Sequence, residues 1–347
     1  MLNGTFSIIN TDPFEVEPTV ECYKLQAIAI YCLIIFLLSL IANSVLLWIL
    51  IYFKELRNSM NAFMLALTVC NLVGSLIEIP MVIISNFNCK WMFKRAGCVF
   101  AGFAMYSIGC TSVYLLTAIS FERFYIIYKP LSIKTLNYKF SIIIIIICVL
   151  VGIVWALFPV FGWSHYSLEG SLTSCSVEWN ERSVNVVSYN ITIFTFVYVL
   201  PLCALIFSNI KLIIIIRNLP KFLSNSNGTL DRKMIKKIRV EKELTISALI
   251  LIAGFMISWT PYAIVSMYTA FFDHGKMDPL TATIPSMFAK ASLVWSSGIY
   301  IFTNKQVFKK FKKQFFSIEE QKSLTAIQST VQNQLSTSKG ESQSLST

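Results

Sequence analysis

Seven runs of apolar residues separated by short polar segments set the plan of this chain. They fall at Ile28–Phe53, Ala62–Ser85, Val99–Tyr125, Phe140–Phe161, Val187–Ile216, Leu244–Phe271 and Ala282–Phe302. Each reaches the roughly 20 residues that a helix needs to cross the hydrocarbon of a bilayer. The pattern predicts an all-α fold, a seven-transmembrane helix bundle. After the last span, Val307–Phe316 sets Phe308, Phe311, Phe315 and Phe316 beside Lys309, Lys310, Lys312 and Lys313. That mixture predicts a short amphipathic helix on an anionic membrane surface. Ser317–Thr347 is polar, rich in serine and threonine and free of aromatics, the composition of a disordered tail with many phosphorylation sites. Four segments result: an outer arm (1–27), the bundle (28–303), the surface helix (304–316) and the tail (317–347). Met1 to Glu21 has no basic head followed by an apolar core, so no cleavable signal peptide is expected.

Composition agrees with this plan, since 55% of the 347 residues are hydrophobic and only 14% are charged. Those proportions lie outside the range of a soluble globular domain. Basic residues gather after the first span (Lys54, Arg57), the third (Lys129, Lys134, Lys139) and the fifth (Arg217, Lys221, Arg232, Lys233, Lys236, Lys237, Arg239). Loops of that kind face the cytosol, which puts the amino terminus outside and the tail inside. The net charge of +11 then follows from topology and an anionic inner leaflet, not from nucleic-acid binding.

Lys290, in the middle of the seventh span, departs from the apolar pattern. An ammonium in hydrocarbon costs roughly 2.5 kcal/mol or more, so an intramembrane lysine marks function unless an acid merely neutralises it. A neutral amine there can condense with an aldehyde. Glu78, two residues before the helix-loosening Pro80, is a carboxylate deep enough to be its partner. At the cytosolic ends, Glu122-Arg123 closes the third span and Glu241 opens the sixth. Contact between Arg123 and Glu241 would clamp two helices, and its loss would let them part. Trp259-Thr260-Pro261-Tyr262 sets a large aromatic beside a helix-bending proline, an arrangement that can couple a cavity to a bend. Asn43 and Asn71 are lone amides on adjacent spans that can bond each other or hold water.

Of nine cysteines, Cys22, Cys89, Cys98 and Cys175 fall on the outer, oxidising side, which permits two disulfides. No cysteine or histidine spacing suggests a metal site. Asn3-Gly4-Thr5 is an acceptor pattern for glycosylation on the outer arm; Asn227-Gly228-Thr229 lies on the inner side and is discounted.

From Tyr31 to Gln306 the set Asn43, Asn71, Cys98, Glu122-Arg123, Trp155, Cys175, Pro201, Trp259-x-Pro261 and Tyr300 resembles the rhodopsin-like (class A) G-protein-coupled receptors, with one signature per span. Within them the chain resembles the opsins, through Lys290, the outer-loop run Pro159 to Trp163 with Glu169-Gly170, Glu241 to Thr245, and Asn304-Lys305-Gln306. The resemblance implies a light-activated receptor, not an enzyme. It implies retinal, 11-cis in the dark, held covalently on Lys290 as a protonated Schiff base, in a pocket that includes Tyr106, Gly109, Trp259, Tyr262 and Ala289. Glu122, Arg123, Glu241, Pro261 and Tyr300 would form the activation switch. Cys98 with Cys175 is the better disulfide pair; Cys22 with Cys89 is what remains.

The partners implied are a heterotrimeric G protein, membrane lipids, and arrestin and a receptor kinase acting on the tail, in a plasma or photoreceptor membrane. Three departures bear on function. Ala101 stands where vertebrate visual opsins hold their counterion, so Glu169, which matches the outer-loop position of many invertebrate opsins, or Glu78 must serve. The third span ends Glu-Arg-Phe, and the seventh reads Ser-Ser-Gly-Ile-Tyr in place of Asn-Pro-x-x-Tyr, which puts the usual water network there in doubt. The absent visual counterion and the unusual seventh span argue against a vertebrate rod or cone pigment. Two rivals remain: a class A receptor for a diffusible ligand, with Lys290 merely paired, and a retinal photoisomerase. A proton pump is weaker, for want of intramembrane carboxylates between Lys290 and the cytosol.

Overall fold

The computed structural model describes Phe14 and residues 18–128, 138–225, 232–272 and 277–314. Asn3, Asn227, Lys129, Lys134, Phe315, Phe316 and the tail lie outside these residues. The first four helices are Cys22–Tyr52, Ser59–Phe87, Lys94–Tyr128 and Tyr138–Leu157. The fifth runs from Val184–Ile193 through a wide π-helical turn, Phe194–Val199, into Leu200–Asn225, and the sixth is Arg232–Phe271. These six are long and apolar enough to cross a membrane.

The seventh span is divided. It consists of Pro279–Lys290 and Ser292–Thr303, joined at Ala291, whose N–H is shared between the carbonyls of Met287 and Phe288 at 3.2 Å each. Asp278 starts the first half by accepting from the Leu280 and Thr281 N–H groups, with Pro279 at the first helical position. Residues 305–314 then form the surface helix, capped by Asn304, which accepts from the Gln306 and Val307 N–H groups at 3.0 and 3.2 Å. Val307 is fully buried, and Lys310 reaches back to pair with Glu55 and to lie over the Phe53 ring.

Most helices outrun the apolar segments that predicted them, although the fourth stops at Leu157, short of Phe161. The first begins at Cys22, not Ile28, and the sixth at Arg232, not Leu244. A helix already formed extends into polar residues at little further cost, so hydropathy marks the membrane core and not the helix ends. The predicted helical bundle also gains a two-stranded hairpin before the fifth helix. In it β1 (Tyr166–Glu169) pairs antiparallel with β2 (Ser174–Val177), placing Leu168 opposite Cys175 and Glu169 opposite Ser174. Disulfides join Cys98 to Cys175 and Cys22 to Cys89. The first anchors β2 to the head of the third helix. Ser171 N–H donates to Thr283 Oγ1 (2.8 Å) and Thr173 to Asn86 Oδ1 (3.0 Å), so the hairpin tip is tied to the seventh and second helices. The hairpin thus lies as a lid across the bundle.

Candidate functional site

Lys290 is the last residue of the outer half of the seventh span and is 5% exposed. Its Nζ lies 3.2 Å from Glu78 Oε1 and 3.8 Å from Glu169 Oε1. The two acids differ in their surroundings. Glu169 ends β1 and is held from two sides, by Ser174 Oγ donating to Oε1 (3.1 Å) and the Tyr262 hydroxyl donating to Oε2 (3.2 Å). Glu78 is 1% exposed on the second helix, and neither of its oxygens receives a well-directed hydrogen bond from a described residue. Its compensation is the lysine charge.

Lys290 lies in the wall of a largely apolar cavity within the outer half of the bundle. Tyr106, Gly109, Trp259, Tyr262 and Ala289 all line it, together with Phe194 from the wide turn of the fifth helix. Gly109 has a steric reason: a Cβ there would lie 3.1 Å from Trp259, so the glycine admits the indole. Glu78 does not line the cavity; it meets the lysine from the second-helix side. Nothing in the sequence marks Phe194 or Ser286 as lining residues, because apolar and small residues inside a span look alike whichever way they face.

Beneath the cavity a chain of direct hydrogen bonds enters the bundle core. Trp259 Nε1 donates to Ser292 Oγ (3.0 Å), and Ser296 Oγ donates to the Ser292 carbonyl (2.9 Å). Asn71 Nδ2 donates to Ser296 Oγ (2.8 Å) and to Asn43 Oδ1 (3.2 Å), and Ser297 also donates to Asn43. The two serines in place of the usual asparagine and proline therefore bond the buried amides side chain to side chain.

At the far end Arg123, 2% exposed, donates to Glu241 Oε2 and Glu122 Oε2, both at 2.8 Å. Glu122 also accepts from Ser59, which is hydrogen-bonded to Ser141. Tyr300, fully buried, donates to Asn61. Ala101 is buried beside the Cys98–Cys175 pair and carries no charge. The structure therefore brings together a lysine with two acids at one end and an arginine with two acids at the other.

A lidded seven-helix bundle with a largely apolar cavity above and an ionic clamp below defines a transmembrane receptor. The family described as 7 transmembrane receptor (rhodopsin family) matches residues 42–297. The human visual pigment-like receptor peropsin is 30% identical over 280 residues, which cover 80% of this chain and 81% of that protein. The rhodopsin of Alloteuthis subulata is 28% identical over 293 residues, 83% of this chain and 66% of that one. A crystal structure of squid rhodopsin superposes with a TM-score of 0.80 at 26% identity, covering 86% of this chain and 87% of the other. The chain belongs to the rhodopsin family of seven-transmembrane receptors, a family of multi-pass membrane proteins. Within that family it is an opsin, a light-sensing receptor.

Proposed function

We propose that this opsin carries retinal, 11-cis in the dark, on Lys290 as a protonated Schiff base, and that light drives it to activate a heterotrimeric G protein. The observation that carries the proposal is Lys290 Nζ in the wall of a largely apolar cavity within 4 Å of two carboxylates. The residues fit the chromophore: an amine to hold it, aromatic walls to pack it, and in Glu78 a buried carboxylate whose compensation is a cation on that nitrogen. Bound retinal supplies an aldehyde carbon for the lysine and a change of shape on absorbing light.

The remaining work belongs to the protein. Glu78 and Glu169 keep the proton on the lysine nitrogen, since an unpaired buried cation would lose it. Resemblance ranks Glu169 first, whereas distance and the absence of competing donors favour Glu78, and the two share the task. Trp259 senses the cavity and passes strain to Pro261 within its own helix. Movement of the sixth helix about that proline separates Glu241 from Arg123 and opens a cleft for a G-protein segment. Light thereby supplies the differential stabilisation that a diffusible agonist would supply elsewhere. One relative, from Mizuhopecten yessoensis, is named a GQ-coupled rhodopsin, which supports G-protein coupling here.

With the amino terminus outside, Asn3 is a glycosylation acceptor and the serine-rich tail a substrate for a receptor kinase and arrestin. The protein signals and does not catalyse.

The test is nucleotide exchange on a heterotrimeric G protein by receptor regenerated with 11-cis-retinal. Exchange in light but not in darkness, absent in Lys290→Ala, supports the proposal. Formation of a light-sensitive pigment that drives no exchange on any G-protein class would favour the isomerase. A response to a diffusible ligand with no pigment would favour the paired-lysine receptor.

A further inference from the structure

A second chamber adjoins the first. It opens on the amino-terminal face between the hairpin and the sixth and seventh helices, and its lining is more polar than apolar, with Ser167, Asn180 and Thr269 beside Pro279 and Ala282. Glu169, Ser176, Trp179, Tyr262 and Ser266 border both chambers, so the partition between them is one residue thick.

This partition is polar where most of the inner cavity is apolar. Three hydroxyls, a carboxylate and an indole N–H meet in it, and the indole is the informative member. Trp179 is 9% exposed and its Nε1, near the Tyr262 hydroxyl, makes no well-directed hydrogen bond to a described residue. A buried donor without a well-aligned acceptor is unfavourable unless water meets it. The neighbouring hydroxyls and carboxylate offer the two to four partners that a buried water needs. On the lysine side of the same partition, Glu169 Oε1 stands 3.8 Å from Lys290 Nζ.

We propose that this vestibule is the route by which water and small polar nucleophiles reach the Lys290 nitrogen, with Glu169, Ser176, Trp179, Tyr262 and Ser266 as its gate. The inference rests on the proposed attachment of retinal at Lys290. It gives the vestibule a chemical class of ligand, neutral or cationic hydrogen-bonding molecules of a few atoms, because Glu169 is the only charged side chain among the described residues lining it. The pigment is then open to exchange in the dark: attack by a small neutral primary amine on the imine carbon forms a new C=N bond as the C=N bond to the lysine breaks, and the amine's two protons pass to the lysine nitrogen, which leaves as its ammonium.

Two measurements test this. In the first, pigment regenerated with 11-cis-retinal is treated with hydroxylamine in darkness, in the parent and in Ala282→Trp and Thr269→Trp, which narrow the vestibule without touching the inner cavity. Bleaching in the parent, slowed several-fold in both variants with an unchanged absorption maximum, is expected. The second needs no chromophore: Ser266→Cys in the unregenerated protein is labelled with a cationic methanethiosulfonate, against the parent as background for its native thiols. Labelling that falls in step when Ala282→Trp is added supports the route. Bleaching and labelling at rates indifferent to the narrowing substitutions overturn it, as does a parent pigment that resists hydroxylamine while the cysteine stays unlabelled. If no pigment forms, the attachment at Lys290 has failed, and the labelling alone still decides whether the route exists.

Discussion

Lys290 and its two acids make the sharpest claims at the scale of single residues. Removing one partner of a buried ion pair leaves an uncompensated charge, an effect of about 3–5 kcal/mol. Glu78 has the shorter contact and no other well-directed donor, whereas Glu169 shares its charge with Ser174 and Tyr262. In regenerated pigment, Glu78→Gln is therefore expected to lose the red-shifted band at neutral pH more completely than Glu169→Gln. Absorption spectra across a pH series check this, and equal behaviour of the two would remove the distinction drawn from their surroundings. Gly109 supplies a steric prediction. Gly109→Leu pushes against Trp259, and overpacking of this kind destabilises by about 1–3 kcal/mol. Lower thermal stability and poor pigment regeneration should appear together.

Elements carry the proposed switch. The sixth helix is held to the third by Arg123 and Glu241, with Arg123 almost wholly buried and Glu241 at 16% exposure. Glu241→Gln should raise exchange on the G protein in darkness, read as a higher basal rate that retinal suppresses only in part. An unchanged dark rate would mean that the clamp is not what restrains the helix. The surface helix offers a milder, pH-dependent case. Lys310 beside Glu55 holds that carboxyl below its ordinary value, through the hydrogen bond first and the charge second. A lowered value means the contact is intact from neutral pH down through the usual carboxylate range and is lost only as the pH falls through the lowered value. Both groups reach solvent, so the effect is small. A spin label on the surface helix should show no change in mobility between pH 7 and pH 5, and loosening only at stronger acidity.

How much of these elements could be read in advance follows from what hydropathy measures. The seven spans, Lys290 with Glu78, and Arg123 with Glu241 were legible, because charge inside an apolar run is conspicuous and expensive. The break at Ala291 was not, since Ala289, Ala291 and Ser292 fit a continuous helix equally well and the division is set by tertiary packing. Nor was the hairpin, whose eight strand residues are no more strand-like in composition than the loops around them. The serine network beneath Trp259 was legible only as a loss. Ser296 and Ser297 marked a departure from the Asn-Pro pattern, and only the fold brings their hydroxyls to Asn71 and Asn43.

The whole molecule is organised as two charged ends joined by a polar thread. Glu78, Glu169 and Lys290 sit under the lid; Trp259, Ser292, Ser296 and Asn71 descend through the core; Arg123 with Glu122 and Glu241 closes the opposite face. The lid matters to the first end because Glu169 rides on β1 and β2 is held by Cys175 to the head of the third helix. Cys98→Ala is expected to leave the seven helices folded while abolishing pigment formation, which circular dichroism and regeneration yield would separate. The claim on which all of this depends is the chromophore on Lys290. Its most direct test is the visible spectrum of the purified protein incubated with 11-cis-retinal, taken before and after illumination beside that of Lys290→Ala. A light-sensitive band well to the red of free retinal in the parent, missing in the variant, is the predicted result. No such band in either protein, or the same band in both, would contradict it.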